Sequence, residues 1–130
     1  MKRRTAREKA LQALFQIDIS KAEPEDAISH VLDDEQGDAY LTRLVEGFVE
    51  NKDKIDDEIK LHLEKWTIDR LANVDRNLLR LGVFELMFCN EEVPGNVVLD
   101  EAIEIAKIYG DDQSSRFING VLSKVMQRHS

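Results

Sequence analysis

The sequence predicts an all-α fold, and three observations predict it. Apolar residues recur at helical spacing along nearly the whole chain, with no clean period-2 alternation. Only two prolines and six glycines interrupt the 130 residues. Hydrophobic residues make up 42%, enough for a real core, and charged ones 34%, above the roughly 25% of an ordinary globular domain. Such a charge content suits solvated helix faces rather than sheets.

The elements follow in order. Ala6, Ala10, Ala13, Leu14 and Ile17 share one face of a first helix. Pro24 suits the first turn of a second, whose stripe is Ala27, Ile28, Val31 and Leu32. Asp33 to Asp38, with Gly37, reads as a polar connection. Tyr40, Leu41, Leu44, Val45, Phe48 and Val49 repeat at helical spacing, and Ile55, Ile59, Leu63 and Trp66 form the next stripe. Thr67 is expected to cap a short helix with Ile68 and Leu71. Leu78, Leu79, Val83, Leu86 and Met87 define the most buried helix, with Asp75 as a candidate cap. Val93-Pro94-Gly95-Asn96 is the clearest break. Leu99, Ala102, Ile103 and Ala106 then lead to Gly110, expected at a C′-like stop. After a loop at Asp111 to Ser115, Phe117, Ile118, Val121, Leu122 and Val125 form the last helix. About seven helices with short connections fit one compact unit of two packed helical subdomains, about 1–52 and 53–130.

Charge is unevenly spread. Residues 1–9 hold five basic side chains and one acidic, a net +4; the whole chain carries −8, so the rest carries −12. A basic start on an acidic body points to a localised anion site rather than a general affinity for polyanions. Cys89 is the only cysteine, which excludes an intrachain disulfide and reads as a small core residue. No apolar run approaches the ~18 residues of a membrane span, and no secretory signal is present, so a cytoplasmic protein is expected.

Catalytic patterns are missing. His30, His62 and His129 are scattered, with no metal-like spacing to Cys89. No phosphate-cradling glycine loop or nucleophile motif occurs. The 26 carboxylates read as salt-bridged, solvated helix faces. The expectation is a protein without enzyme activity, cofactor or metal.

The anion site falls on the first helix. At 100° per residue, Arg4, Arg7, Leu11 and Phe15 lie in one sector, with Arg3 beside Arg7 and Lys2, Lys9, Gln12 and Gln16 on the more solvated side. The arginines border the apolar face and lead towards an aromatic ring. Arginine forks phosphate oxygens and stacks on bases, and a neighbouring aromatic can stack an unpaired base. Single-stranded RNA offers both partners. Cations at a helix N-terminus also oppose the helix dipole, so the cluster gains from an anionic partner. Phe15 by itself reads first as a core residue.

Four stretches carry a resemblance: Arg3 to Phe15 (RRTAREKALQALF), Asn73 to Arg76 (NVDR), Glu101 to Lys107 (EAIEIAK) and Phe117 to Leu122 (FINGVL). In order and spacing the chain resembles the NusB family of antitermination factors. The resemblance implies a seven-helix fold and binding to the boxA element of ribosomal RNA leader transcripts, as a heterodimer with NusE, a ribosomal protein of the S10 family. It implies a place in the RNA polymerase antitermination complex with other Nus factors.

By position, Lys2, Arg3, Arg4 and Arg7 match the family's RNA helix and Phe15 an aromatic on the same surface. Gln113 and Phe117, ahead of Asn119 and Gly120, match a second part of it. Asp75, Arg76 and Glu85 match the region facing NusE. Asn119 and Gly120 have an equal structural reading, a loop tie and a close helix contact, and Asp75 an equal reading as an N-cap. Glu101 and Glu104 read as fold-stabilising surface or cap residues. Gly82, where the family more often has alanine, is expected to cost ~1 kcal/mol, and Gly95 to loosen the turn after Pro94. Two other readings compete. NusB-like domains also precede ribosomal RNA methyltransferase domains, against which the end of the chain at Ser130 is set. A helical adaptor using its acidic body would suit a basic partner. A homodimer is left open.

Overall fold

In a computed structural model the structure describes residues 1–65 and 67–130; Trp66, placed by periodicity on the stripe of Ile55, Ile59 and Leu63, lies outside the described residues. Seven α-helices and no strand are found among the described residues. They are α1 (Arg3–Ser20), α2 (Pro24–Leu32), α3 (Ala39–Glu50), α4 (Lys52–Lys60), α5 (Asn73–Phe88), α6 (Gly95–Tyr109) and α7 (Ser114–His129), with a 3₁₀ turn at Ile68–Arg70 before α5.

The helix ends follow from local chemistry. Pro24 opens α2, where its missing N–H costs nothing. Asp38 caps α3, its carboxylate accepting from the Leu41 N–H at 3.2 Å. Lys21 and Asp33 end α1 and α2 in the left-handed region, at φ 58° and 47°. Three expected signals act differently. Thr67 stands before the 3₁₀ turn without a side-chain cap. The residue preceding α5 is Ala72, so Asp75 sits at the third helical position and is not an N-cap. Gly110 ends α6 in extended backbone (φ −94°, ψ −173°), not the left-handed form. A Cβ at Gly110 would stand 2.4 Å from Ser114 Oγ, so glycine serves close approach there.

Helix α5 is the hub: every residue from Asn77 to Leu86 is buried, and α1, α3, α4, α6 and α7 all pack on it. Its surroundings explain a glycine the sequence marked as a weakness. A Cβ on Gly82 would lie 2.8 Å from Leu122 Cδ1, in a fully buried side chain, so α5 and α7 could not approach as they do. Gly95, read as loosening a turn, is instead the first residue of α6, where a Cβ would meet Met126 Sδ at 2.7 Å.

The charged residues correct the sequence reading more than the apolar ones do. Arg7, Asp56, Glu58, Arg80 and Glu85 are buried rather than solvated. Arg80 forks Asp56 with two 3.0 Å bonds, tying α5 to α4. Glu58 accepts from His62 at 2.9 Å, Arg128 at 2.8 Å and His129 at 3.0 Å, fastening the end of α7 to α4. Burial alone would push the Glu58 carboxyl up; these hydrogen bonds instead hold it down at about 2. Two of the histidines that look scattered in sequence thus meet on one carboxylate.

Candidate nucleic-acid interface

The basic start of α1 is a set of cations with unequal freedom. Arg7 is buried, with Nε and Nη2 each donating to Glu85 at 2.8 Å and Nη1 reaching Glu101 at 3.4 Å. Its guanidinium forms a fork on α5 and ties α1 to the core, so the Arg7 that the sequence matched to an RNA helix is buried in this chain. Arg4, one turn earlier, keeps 44% of its side chain exposed and donates Nε to Glu101 Oε2 at 3.0 Å, with Nη2 on the same oxygen. Arg3 lies over the Tyr40 ring at 4.6 Å, a cation–π contact. Lys2 is exposed at the helix cap. Lys9 leans back to α2, donating to the Val31 carbonyl at 3.0 Å.

Tyr40 is the site residue the helical pattern hid, because it read as one more apolar position. Its hydroxyl donates to Glu85 Oε2 at 2.5 Å, and its ring stands under Arg3 and within 5.8 Å of Arg7. Burial, then the hydrogen bond to Glu85 and its charge, push the phenol well up, so it stays a donor. Burial likewise pushes the nearby Cys89 thiol up, which fits a packed, unreactive cysteine.

Farther along α1, Phe15 is half-buried against the core and still lines an open groove between α1 and α2, with Gln12 and Gln16 on its own helix and Ser29 and His30 opposite. Phe15 thus packs on the core and lines the groove at once.

The second expected patch is at the start of α7. Gln113 is exposed at the N-terminal cap, its N–H donating to Asp111 Oδ1 at 2.8 Å in the preceding loop. Phe117 is half-buried and lines a shallow groove bordered by Lys65, Arg116 and Lys124. Those three cations were not singled out by the sequence, being isolated along it. Asn119 is exposed and accepts from Ser123, one turn on in the same helix, at 3.3 Å, and among the described residues it ties no loop. Among the described residues nothing lies within 4 Å of a Cβ built on Gly120. Among the described residues no close helix contact requires that glycine, in contrast to Gly82. Helices α1 and α7 do not pack face to face; both lean on α5.

The three residues expected to face a protein partner are placed differently from one another. Asp75 stands near the loop before α7; burial raises its carboxyl above the usual range, Ser114 pulls it back and negative Asp111 adds to the rise. Its Oδ1 is buried without a hydrogen-bond partner among the described residues. Arg76 is internal: it holds Asp18 at 2.6 and 3.0 Å and the Leu71 carbonyl at 3.0 Å. Against the cost of burial, bonds from Arg76 and Asn77 hold Asp18 low. Glu85 is 2% exposed. Arg76 and Glu85, both expected to face a partner, thus bond internally, Arg76 to Asp18 and Glu85 to Arg7 and Tyr40.

Among the described residues no group of His, Cys, Asp and Glu is arranged to hold a metal ion, and no helix is long and apolar enough to cross a membrane.

The sequence profile of the NusB family matches residues 4–127. The transcription antitermination protein NusB of Bacillus licheniformis is 58% identical over 125 residues, covering 96% of each chain. A Thermotoga maritima NusB structure superposes with a TM-score of 0.90 at 40% identity, covering 99% of this chain and 93% of that one. A crystal structure described as antitermination factors NusB and NusE in complex with dsRNA gives a TM-score of 0.86 at 35% identity, with 97% and 96% covered.

Proposed function

The chain belongs to the NusB family of transcription antitermination proteins, a binding role rather than a catalytic one, and from that premise we propose that it binds boxA-type single-stranded RNA of ribosomal RNA leaders together with NusE. In that assembly it would act in the cytoplasm with RNA polymerase and the other Nus factors to prevent premature termination. The observation that carries the RNA reading is the exposed cation group at the start of α1: Lys2, Arg3 on its Tyr40 platform, and half-exposed Arg4. Phosphate oxygens suit these donors, and an unstacked base suits an aromatic edge such as Phe15. Gln113, Phe117 and Asn119 would continue the surface, with Arg116 and Lys124 adding charge around the Phe117 ring. Arg7 supports this surface from inside rather than touching the strand.

For the protein partner, Asp75 with exposed Asp111 and Asp112 forms an acidic face at the start of α5 and α7, complementary to a basic ribosomal protein. Arg76 and Glu85 would serve by holding α5 in place.

The test is RNA binding by the full chain with and without NusE, using a leader fragment and a scrambled strand at several salt concentrations. Arg4→Ala should weaken binding and flatten its salt slope. Unchanged binding by a folded variant refutes the α1 assignment. Asp75→Lys should weaken NusE capture while RNA contact by the isolated chain survives; undiminished capture refutes the partner face.

A further inference from the structure

The arginine site is electrically closed on itself. Arg4 and Arg7 face Glu85 and Glu101, two cations against two carboxylates. Glu101 is the member that joins the inner pair to the outer one. Its Oε2 takes both Nε and Nη2 of Arg4, and its Oε1 lies 3.4 Å from Arg7 Nη1. It stands on α6, and this long-side-chain bridge spans helices that do not otherwise pack closely. A carboxylate that takes two N–H groups of one guanidinium occupies the donors a phosphate would need.

We propose that Glu101 is an internal substitute for phosphate, holding Arg4 in the free chain and releasing it to an RNA backbone. This rests on the reading of α1 as an RNA-binding helix. The inner and outer pairs differ in how readily they open. Arg7 is buried and forked on Glu85, so no strand reaches it without unfolding α1 from α5. Arg4 keeps 44% of its side chain in solvent, where ion pairs are weak enough to exchange. Exchange keeps the local charge low until a polyanion arrives. It sets a threshold: a strand must outcompete a tethered carboxylate, so isolated anions and short contacts are disfavoured while a strand with several phosphates succeeds.

The test compares Glu101→Gln with Glu104→Gln in the full chain with NusE, by fluorescence anisotropy of a labelled single-stranded leader RNA. Glu104 is on the same helix and pairs with Lys107 at 3.5 Å, so its variant makes the same change in net charge, and acts on Arg4 only through longer-range charge, without removing a hydrogen bond to it. Glu101→Gln is expected to tighten RNA binding about two- to fivefold beyond Glu104→Gln, the range a half-exposed pair can supply. Its salt slope should steepen, since one more cation is free to displace counterions. In an Arg4→Gln background the gain should vanish. Thermal unfolding of each variant confirms that the fold is intact. Equal affinity of Glu101→Gln and Glu104→Gln, a loss with Glu101→Gln, or a gain that persists without Arg4 overturns the proposal and leaves the RNA reading standing. No binding of leader RNA by the unmodified chain with NusE overturns both.

Discussion

Replacing Arg7 with alanine separates a buried cation from the exposed ones beside it. Without Arg7, Glu85 is left at 2% exposure with only the Tyr40 hydroxyl donating to it. Breaking a buried pair from one side costs about 3–5 kcal/mol, because the surviving charge has lost both solvent and partner. Arg4→Ala opens a pair whose arginine is 44% exposed, and pairs so open to solvent add little to stability. In a domain of this size 1 kcal/mol moves the unfolding midpoint by roughly 3–5 °C, so Arg7→Ala should lower Tm by about 10–20 °C and Arg4→Ala by less than about 5 °C. Urea unfolding followed by circular dichroism at pH 7 gives the free energies directly, provided the slope m is unchanged. The double replacement Arg7→Met with Glu85→Leu should recover much of the loss, since no lone charge remains. If Arg7→Ala stays within about 1 kcal/mol of the unmodified chain, the pair is not the buried fork described and the internal role of Arg7 fails.

Two glycines on helices should respond oppositely to alanine. Gly47→Ala would set a Cβ 2.2 Å from the Phe84 ring, itself 3% exposed, and should destabilise by about 1–3 kcal/mol in urea despite the better helix former. Gly120→Ala, in the interior of α7, meets none of the described residues and should raise stability by up to about 1 kcal/mol. If RNA passes over that surface, the same variant should weaken leader binding; unchanged affinity would take Gly120 off the interface. The Glu58 carboxyl, held at about 2 against an ordinary 4.5, favours the folded state above pH 4.5. That contribution, up to about 3 kcal/mol, should fade as pH falls from the unfolded value towards the folded one. Glu58→Gln should be less stable at pH 7 and should lack this acid-induced loss; a parallel pH profile for both proteins would refute it.

Helical periodicity made the fold readable because apolar residues report burial wherever they occur. Leu78, Leu79, Val83 and Leu86 already marked α5 as the innermost helix, and all four are buried. Pair formation was not readable in the same way. Arg7 and Glu85 are 78 residues apart, and nothing local says that one helix will deliver a carboxylate to the other. A usable signal existed: Asn77, Arg80 and Glu85 interrupt an otherwise strongly apolar helix, and each needs a partner when buried. Reading them together would have placed polar ties inside the bundle. The glycines show the same limit from the other side. Gly82 and Gly120 look alike in a sequence, both glycine inside a helix, yet one is set close against Leu122 and the other has no close neighbour among the described residues. Only the packing separates a glycine required by the fold from one free to serve a surface.

The same distinction changes what the charge of the N-terminus means. Five cations in the first nine residues suggest a strong anion site. Arg7 is spent on Glu85, Arg4 is shared with Glu101, and Lys9 is drawn to the Val31 carbonyl and lies 3.8 Å from Glu35. Lys2 and Arg3 are left without a carboxylate partner among the described residues. The free chain should therefore bind polyanions less tightly than its count of basic residues implies, and with a shallow salt slope. Affinity has to come from added contacts: Arg4 once released, the cations around Phe117, and a protein partner that extends the surface. Helices α1 and α7 pack on α5 rather than on each other, so the two patches lie on separate elements. For a strand long enough to reach both, the second contact is intramolecular. Strand length and partner, more than local charge, should decide which RNA is held.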